Sequence, residues 1–391
     1  MSRKKISIIV WGIGIFFLFS GRDAAAQIIA ASTGEAVTQT VTLENFAIME
    51  MLRDTWSCQC TGPDVWFAGY GFGGFSRARK KESGWEKEKE WEWEKEPDYK
   101  TFSPDKYRQR AGGFIIAKDC VWDGCCRRGF FFSYNNTRLG YSGIIAENDE
   151  KGLPIFENVE TNNFLWGAYA KYLGPFGYYA GNMAAGYSHL HETRQFLTAD
   201  PDKNHTPGHN ENHEDQEYRL VRGHADTGAW RALVYGEIGT ECCFHGLFLV
   251  QPFWGLQYYY SYYNQTRESL VFDRAADHGT LGRLRTNSFR SILGMRLRSP
   301  MPPAFRCEVT LDFIACWVHE FLDFGQIAEM SVRNFETEQR ILGIYSGTDW
   351  AILSPVLRFH CGWGNLWFSH TVMFNAQETI NMGLGGLEFS W

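Results

Sequence analysis

Beyond its N-terminus the chain lacks any uncharged apolar run approaching the ~18 residues that a membrane-spanning helix needs, which excludes a helical membrane domain from its body. Positive charge is in short supply too. The 38 Lys and Arg stand against 45 Asp and Glu, for a net charge of -7, so a nucleic-acid partner is not expected. Hydrolase signatures are missing as well: there is no Gly-x-Ser-x-Gly elbow, and His319-Glu320 does not open a His-Glu-x-x-His motif because position 323 is Asp. Nothing calls for a cofactor.

What is abundant is aromatic residues, 16% of the chain, together with 40 glycines, at a mean hydropathy of only -0.32. Strands that alternate apolar and polar residues hide their hydrophobicity from such an average. A large secreted β-sandwich has the same bulk numbers, so the choice rests on order along the chain. At the N-terminus, Arg3, Lys4 and Lys5 precede an apolar core from Ile6 to Phe19 and then Ala24-Ala25-Ala26. This is the layout of a secretory signal peptide over residues 1–26, with cleavage expected after Ala26.

Twelve segments alternate as strands: 65–75, 107–120, 127–138, 163–173, 176–192, 227–240, 246–265, 286–298, 304–319, 351–360, 365–376 and 380–391. The clearest is the seventh, where Phe248, Val250, Pro252, Trp254, Leu256, Tyr258, Tyr260 and Tyr262 share one face opposite Gln251, Gly255, Gln257 and Ser261. Connections after odd-numbered segments are long and those after even-numbered ones short, except at the last hairpin. Outer-membrane barrels have short periplasmic turns and long external loops, whereas a soluble meander has no such reason to alternate. The final segment places Leu387, Phe389 and Trp391 on one face, with Gly383 and Gly385 among them. An exposed aromatic edge strand invites aggregation, and closure against the first strand removes that edge. The expected fold is therefore all-β, a twelve-stranded antiparallel transmembrane β-barrel over residues 65–391.

Before it, in the short N-terminal segment 27–64, good helix formers run from Leu43 to Arg53, with Thr42 as a cap. This predicts a helix of about three turns in the lumen or just below it, carrying Asn45, Glu50 and Arg53.

These residues resemble the C-terminal β-domain of autotransporters, the barrel of type V secretion. The resemblance rests on the pre-barrel helix, Val65-Trp66-Phe67, Trp166-Gly167-Ala168-Tyr169-Ala170-Lys171-Tyr172, Gly186-Tyr187, Tyr235-Gly236-Glu237-Ile238-Gly239 leading to Gln251-Pro252-Phe253, and Gly294-Met295-Arg296-Leu297. Most specific is Trp317-Val318-His319-Glu320-Phe321, similar to the family's Trp-x-His-Glu-Phe box, with Trp317, His319, Glu320 and Phe321 as its defining side chains. The resemblance implies a helix through the pore, outer-membrane lipid as surroundings, and insertion by the barrel-assembly machinery, which reads the last strand through Leu387, Phe389 and Trp391. Only about residues 27–40 precede the helix, so the expectation is a translocator-like or surface-display barrel without an evident passenger. The helix has no Asn-Asn pair, which removes support for self-cleavage inside the pore.

The chain has 10 cysteines. Cys58, Cys60, Cys120, Cys125, Cys126, Cys242, Cys243, Cys307 and Cys361 all map to the periplasmic end and are disulfide candidates in an oxidising compartment, within the chain or to other envelope proteins. Cysteine at this density resembles the polymorphic outer-membrane proteins of chlamydia-like bacteria. Other functions left open are a disulfide-linked structural envelope protein, a porin and, as a minor option, an outer-membrane hydrolase; the leading expectation is non-enzymatic.

Two loops carry further candidates. His205, His209 and His213 stand four residues apart beside carboxylates, a weak metal candidate because Pro207 and Gly208 disrupt the helix that would align them. Residues 79–100 hold fifteen charges in twenty-two positions with Trp85, Trp91 and Trp93 interspersed, the pattern of a solvated loop with some capacity for surface recognition.

Overall fold

The computed structural model describes residues 40–49, 65–77, 100–123, 125–145, 153–199, 218–244, 248–264, 266–271, 276–281, 284–322, 327–332, 335–342, 348–376 and 378–389. One helix, α1 (residues 40–49), is followed by a closed barrel. Its walls are β1 (Val65–Arg77), β2 (Lys100–Asp123), β3 (Cys126–Ile145), β4 (Leu153–Gly174), β5 (Gly177–Ala199) and β6 (Tyr218–Gly239). They continue with β7 (Phe248–Tyr263), β8 (Leu284–Ala304), β9 (Cys307–Glu320), β10 (Asp349–Cys361), β11 (Gly364–Phe374) and β12 (Glu378–Phe389). Every neighbour in this order is antiparallel, and the ring closes where β12 pairs with β1 from Val65↔Phe389 to Ser76↔Glu378. All twelve expected strands are present, so no wall strand has an open edge.

Alternation sets which way each side chain points. Along β7, Gln251, Phe253, Gln257, Tyr259, Ser261 and Tyr263 are buried inward while Trp254 and Phe248 are exposed. On β5 the outward Tyr179 and Tyr187 bracket Met183, a separation of about 25 Å along the strand, the order of the apolar band of an outer-membrane barrel. Tyr187 meets Trp230 of β6 edge-on at 5.3 Å, marking the upper aromatic girdle.

The periplasmic turns are tight. Gly177 and Gly364 each open a strand at φ 154° and 152°, and a Cβ there would lie 2.1 Å from the Gly239 carbonyl oxygen and 2.2 Å from that of Glu388. Only glycine fits both the angle and the approach. The β8–β9 turn manages without it: Phe305 and Arg306 sit at φ 54° and 62°.

The external side departs from expectation. Several strands continue well above the girdle, and the segments expected as loops at 266–285 and 320–350 contain paired strands. Thr266–Val271 pairs with Ala276–Leu281 and with Arg222–Ala225 of β6, and Ile327–Val332 pairs with Phe335–Leu342. Above the membrane the outward face meets water instead of lipid, so the apolar alternation that marks a strand disappears although backbone pairing continues. On β12, Leu387, Phe389, Gly383 and Gly385 all point outward as expected, while Trp391 lies outside the described residues.

Candidate functional site

Helix α1 lies inside the barrel. Every residue of α1 is buried, and the helix contributes Val41, Leu43, Phe46, Ala47, Ile48 and Met49 to the central cluster of apolar side chains. It is already helical at Thr40, three residues before the start that the sequence suggested. Thr40, Val41 and Thr42 are poor helix formers, but Thr42 is no cap: its hydroxyl accepts from Gln257 Nε2 at 3.0 Å and from Arg290 Nη1 at 2.7 Å. Tertiary hydrogen bonds to the wall therefore override local propensity. Glu50 and Arg53, expected on the same helix, lie outside the described residues.

The other polar side chains of α1 are matched around the wall. Gln109 Nε2 of β2 donates to Thr40 Oγ1 at 2.7 Å. Ser133 and Asn135 of β3 donate to the Glu44 carboxylate, and Asn45 accepts from Asn182 of β5 at 2.7 Å while donating to Gln257 of β7 at 3.3 Å. Contacts thus reach β2, β3, β5, β7 and β8. A polar helix in a closed lumen needs such partners, because an unpaired buried donor or acceptor costs about 1–3 kcal/mol.

The Trp317-Val318-His319-Glu320-Phe321 box splits by strand alternation. Trp317 and His319 point outward at the external rim and both meet Asp349 of β10, Nε1 to Oδ1 at 2.9 Å and Nδ1 to Oδ1 at 3.0 Å. Glu320 points inward and accepts from Arg290 Nε at 2.8 Å and from the Phe289 backbone N–H at 2.8 Å. Phe321 packs on Phe289 and on His319. The box ties β8, β9 and β10 together at their outer ends, and through Arg290 it reaches Thr42 of α1.

Charge networks line the lower lumen. Arg127 of β3 contacts Asp119 of β2 and donates to Glu388 Oε1 of β12 at 2.7 Å, and Glu388 also accepts from Asn365 at 2.9 Å. Tyr169 donates to Asp119 as well. Asp312 of β9 is surrounded by Arg296, Arg298 and Arg358. Apart from Arg296, which lies in one of the family-like motifs, these inward charges carry no sequence signal, because an Arg on an alternating strand looks like any other polar inward position.

Of the cysteine candidates, Cys307 and Cys361 form a disulfide between the periplasmic ends of β9 and β10. Cys120 and Cys242 are exposed free thiols, Cys126 is a buried one, and Cys125 is exposed at the first turn. Cys58 and Cys60 lie outside the described residues, as do His205, His209 and His213 and the whole of 79–99.

This geometry has counterparts among known proteins. No curated protein sequence gives a significant match. Among solved structures, the chain is similar to the translocator domain of the autotransporter NalP from Neisseria meningitidis, with 12% identity, a TM-score of 0.59 and coverage of 94% of this chain and 100% of that one. It is also similar to the transport unit of the autotransporter AIDA-I from Escherichia coli, at 10% identity, TM-score 0.50, covering 93% of this chain and 100% of that one. At such identities the likeness shows the fold. The family model of the autotransporter beta-domain matches residues 98–359, more than half of the sequence. This chain belongs to the autotransporter beta-domain family.

Proposed function

We propose that this chain is a plugged, non-enzymatic outer-membrane barrel whose work is display: it holds its external hairpins at the cell surface while α1 seals the lumen. As a member of its family it is an outer-membrane translocator-type protein; the closed pore and the display role are the finer reading. The observation that carries it is the burial of α1 with hydrogen bonds to five wall strands. A helix held by five strands is a stopper, since moving it strands several polar groups at once. Residues 1–26 are read as a signal peptide that is removed, and β12 as the strand presented to the barrel-assembly machinery.

Planar-bilayer recording of the purified chain tests this. The expected result is a closed channel with rare brief openings. A large steady current with the helix intact would replace the display reading by a porin.

A second reading draws on the exposed thiols of Cys120 and Cys242 near the periplasmic rim. In an oxidising compartment these can bridge to neighbouring envelope proteins, giving the barrel a structural role. Non-reducing electrophoresis of isolated envelopes separates the two: ladders that collapse with reductant support cross-linking, and a monomer band indifferent to reductant removes it.

A further inference from the structure

On the outer surface, above the Tyr187–Trp230 girdle, two strands bring together side chains that the luminal reading does not use. His191 of β5 and Asp226 of β6 are register partners, and Thr193↔His224 is the next outward pair. His191 Nδ1 lies 2.8 Å from Asp226 Oδ1, and the His191 and His224 rings meet edge to face with centroids 4.3 Å apart. Among the described residues, one donor atom from each of His191, His224 and Asp226 can be taken so that all lie within 4.8 Å of one another. The neighbouring carboxylate, Glu160 of β4, is held instead by Asn136 at 3.0 Å and Arg138 at 3.3 Å.

We propose that His191, His224 and Asp226 form an external binding site for a borderline divalent transition-metal ion such as zinc. Two imidazoles and one carboxylate are the donor set that zinc accepts, and their spacing lets an ion at about 2.0–2.2 Å from each donor replace the His191–Asp226 hydrogen bond. Imidazole donors disfavour calcium and magnesium, which take oxygen ligands. His191 is partly exposed and His224 and Asp226 are exposed, and antiparallel pairing over the whole of β5 and β6 fixes the backbones that carry them. Binding therefore costs little beyond ordering three side chains. Three protein donors leave a fourth position open to water.

The experiment is calorimetric titration of the detergent-solubilised full chain with zinc chloride, alongside His191→Ala, His224→Ala and Asp226→Asn. A control variant carries His205→Ala, His209→Ala and His213→Ala, because that loop joins the same two strands and also holds histidines. The expected result is one saturable zinc site that survives the loop substitutions. It should weaken on the order of 100-fold in each strand variant, since even outer-shell changes cost 10–100-fold, and an excess of calcium or magnesium should leave it unchanged. Cobalt substitution should give a visible absorption band that is absent from His224→Ala. Because all three positions face outward, heat-modifiable migration should match the parent and confirm that each variant is folded. Zinc binding that is undetectable, that persists in the strand variants, or that disappears with the loop histidines alone overturns the proposal. The conductance of the barrel is independent of this outcome.

Discussion

Arg290 and Thr42 are joined across the lumen, Nη1 to Oγ1 at 2.7 Å, while the same guanidinium is held from the other side by Glu320 at 2.8 Å. The external box and the luminal helix are therefore one mechanical unit. Strand alternation explains how a five-residue box does two jobs: His319 and Glu320 are adjacent, so one faces out toward Asp349 and the other in toward Arg290. Glu320 also accepts from the Phe289 and Leu322 backbone N–H groups, which helps fix its carboxylate toward the arginine.

Substituting Arg290→Met should cut this unit in two. It keeps an unbranched apolar stem but removes the guanidinium and leaves a shielded Glu320 without its cation, a change expected to cost on the order of 3 kcal/mol. Thr42→Val removes the hydroxyl that accepts from both Gln257 and Arg290 and should cost about 1–3 kcal/mol. Urea unfolding in detergent measures both. In bilayers Arg290→Met should open more often than the parent. A variant with the parental midpoint and parental closure would show that Arg290 does not hold the helix.

The β8–β9 turn places two ordinary residues, Phe305 and Arg306, where the backbone is left-handed. Two-residue hairpin turns with both φ values positive favour Asn-Gly, because side chains with a Cβ crowd the following carbonyl. The double substitution Phe305→Asn with Arg306→Gly should raise stability by about 1–2 kcal/mol. Phe305 is 91% exposed, so little packing is lost. An unchanged or lower unfolding midpoint would mean that Phe305 does something at the periplasmic surface beyond making the turn.

The Cys307–Cys361 bond spans a sequence separation of 54 and encloses the external hairpin between β9 and β10. Closing a loop of that size restricts the unfolded chain by about 4 kcal/mol in the chain-entropy account. Cys307→Ser is expected to lower the unfolding midpoint under oxidising conditions and to make it insensitive to reductant. If the parent and the variant unfold alike without reductant, the bond contributes nothing to the folded barrel.

The twelve strands were legible because inside the membrane one face must be apolar and the other polar, so the period of two is written into residues such as Trp254, Leu256 and Tyr258 against Gln251, Gln257 and Ser261. Above the girdle that constraint lapses. The segment Glu157-Asn158-Val159-Glu160-Thr161-Asn162 is paired strand, yet it shows no apolar face of its own. The start of α1 was illegible for a different reason. Thr40, Val41 and Thr42 favour strand, and they are helical because Gln109, Gln257 and Arg290, far away in sequence, supply partners. His191 and Asp226 are likewise 35 residues apart, and only the register of β5 on β6 brings them together.

Glu241, in the periplasmic connection after β6, supplies a pH test. Burial pushes its carboxyl up from 4.5 to about 7, against the opposing pull of Lys171, Arg298 and Arg296. Its Oε1 is buried with no hydrogen-bond partner among the described residues. A carboxyl whose folded pKa is raised binds its proton more tightly in the barrel than in the unfolded chain. Its contribution is therefore fully present below about pH 4.5 and is lost as pH rises through about 7. The unfolding midpoint should fall between pH 5 and pH 8, roughly the window set by those values, and Glu241→Gln should flatten that slope while leaving the pH 5 value close to the parent's. If the slope persists unchanged in Glu241→Gln, another group carries the pH dependence and the carboxyl is better solvated than its burial implies.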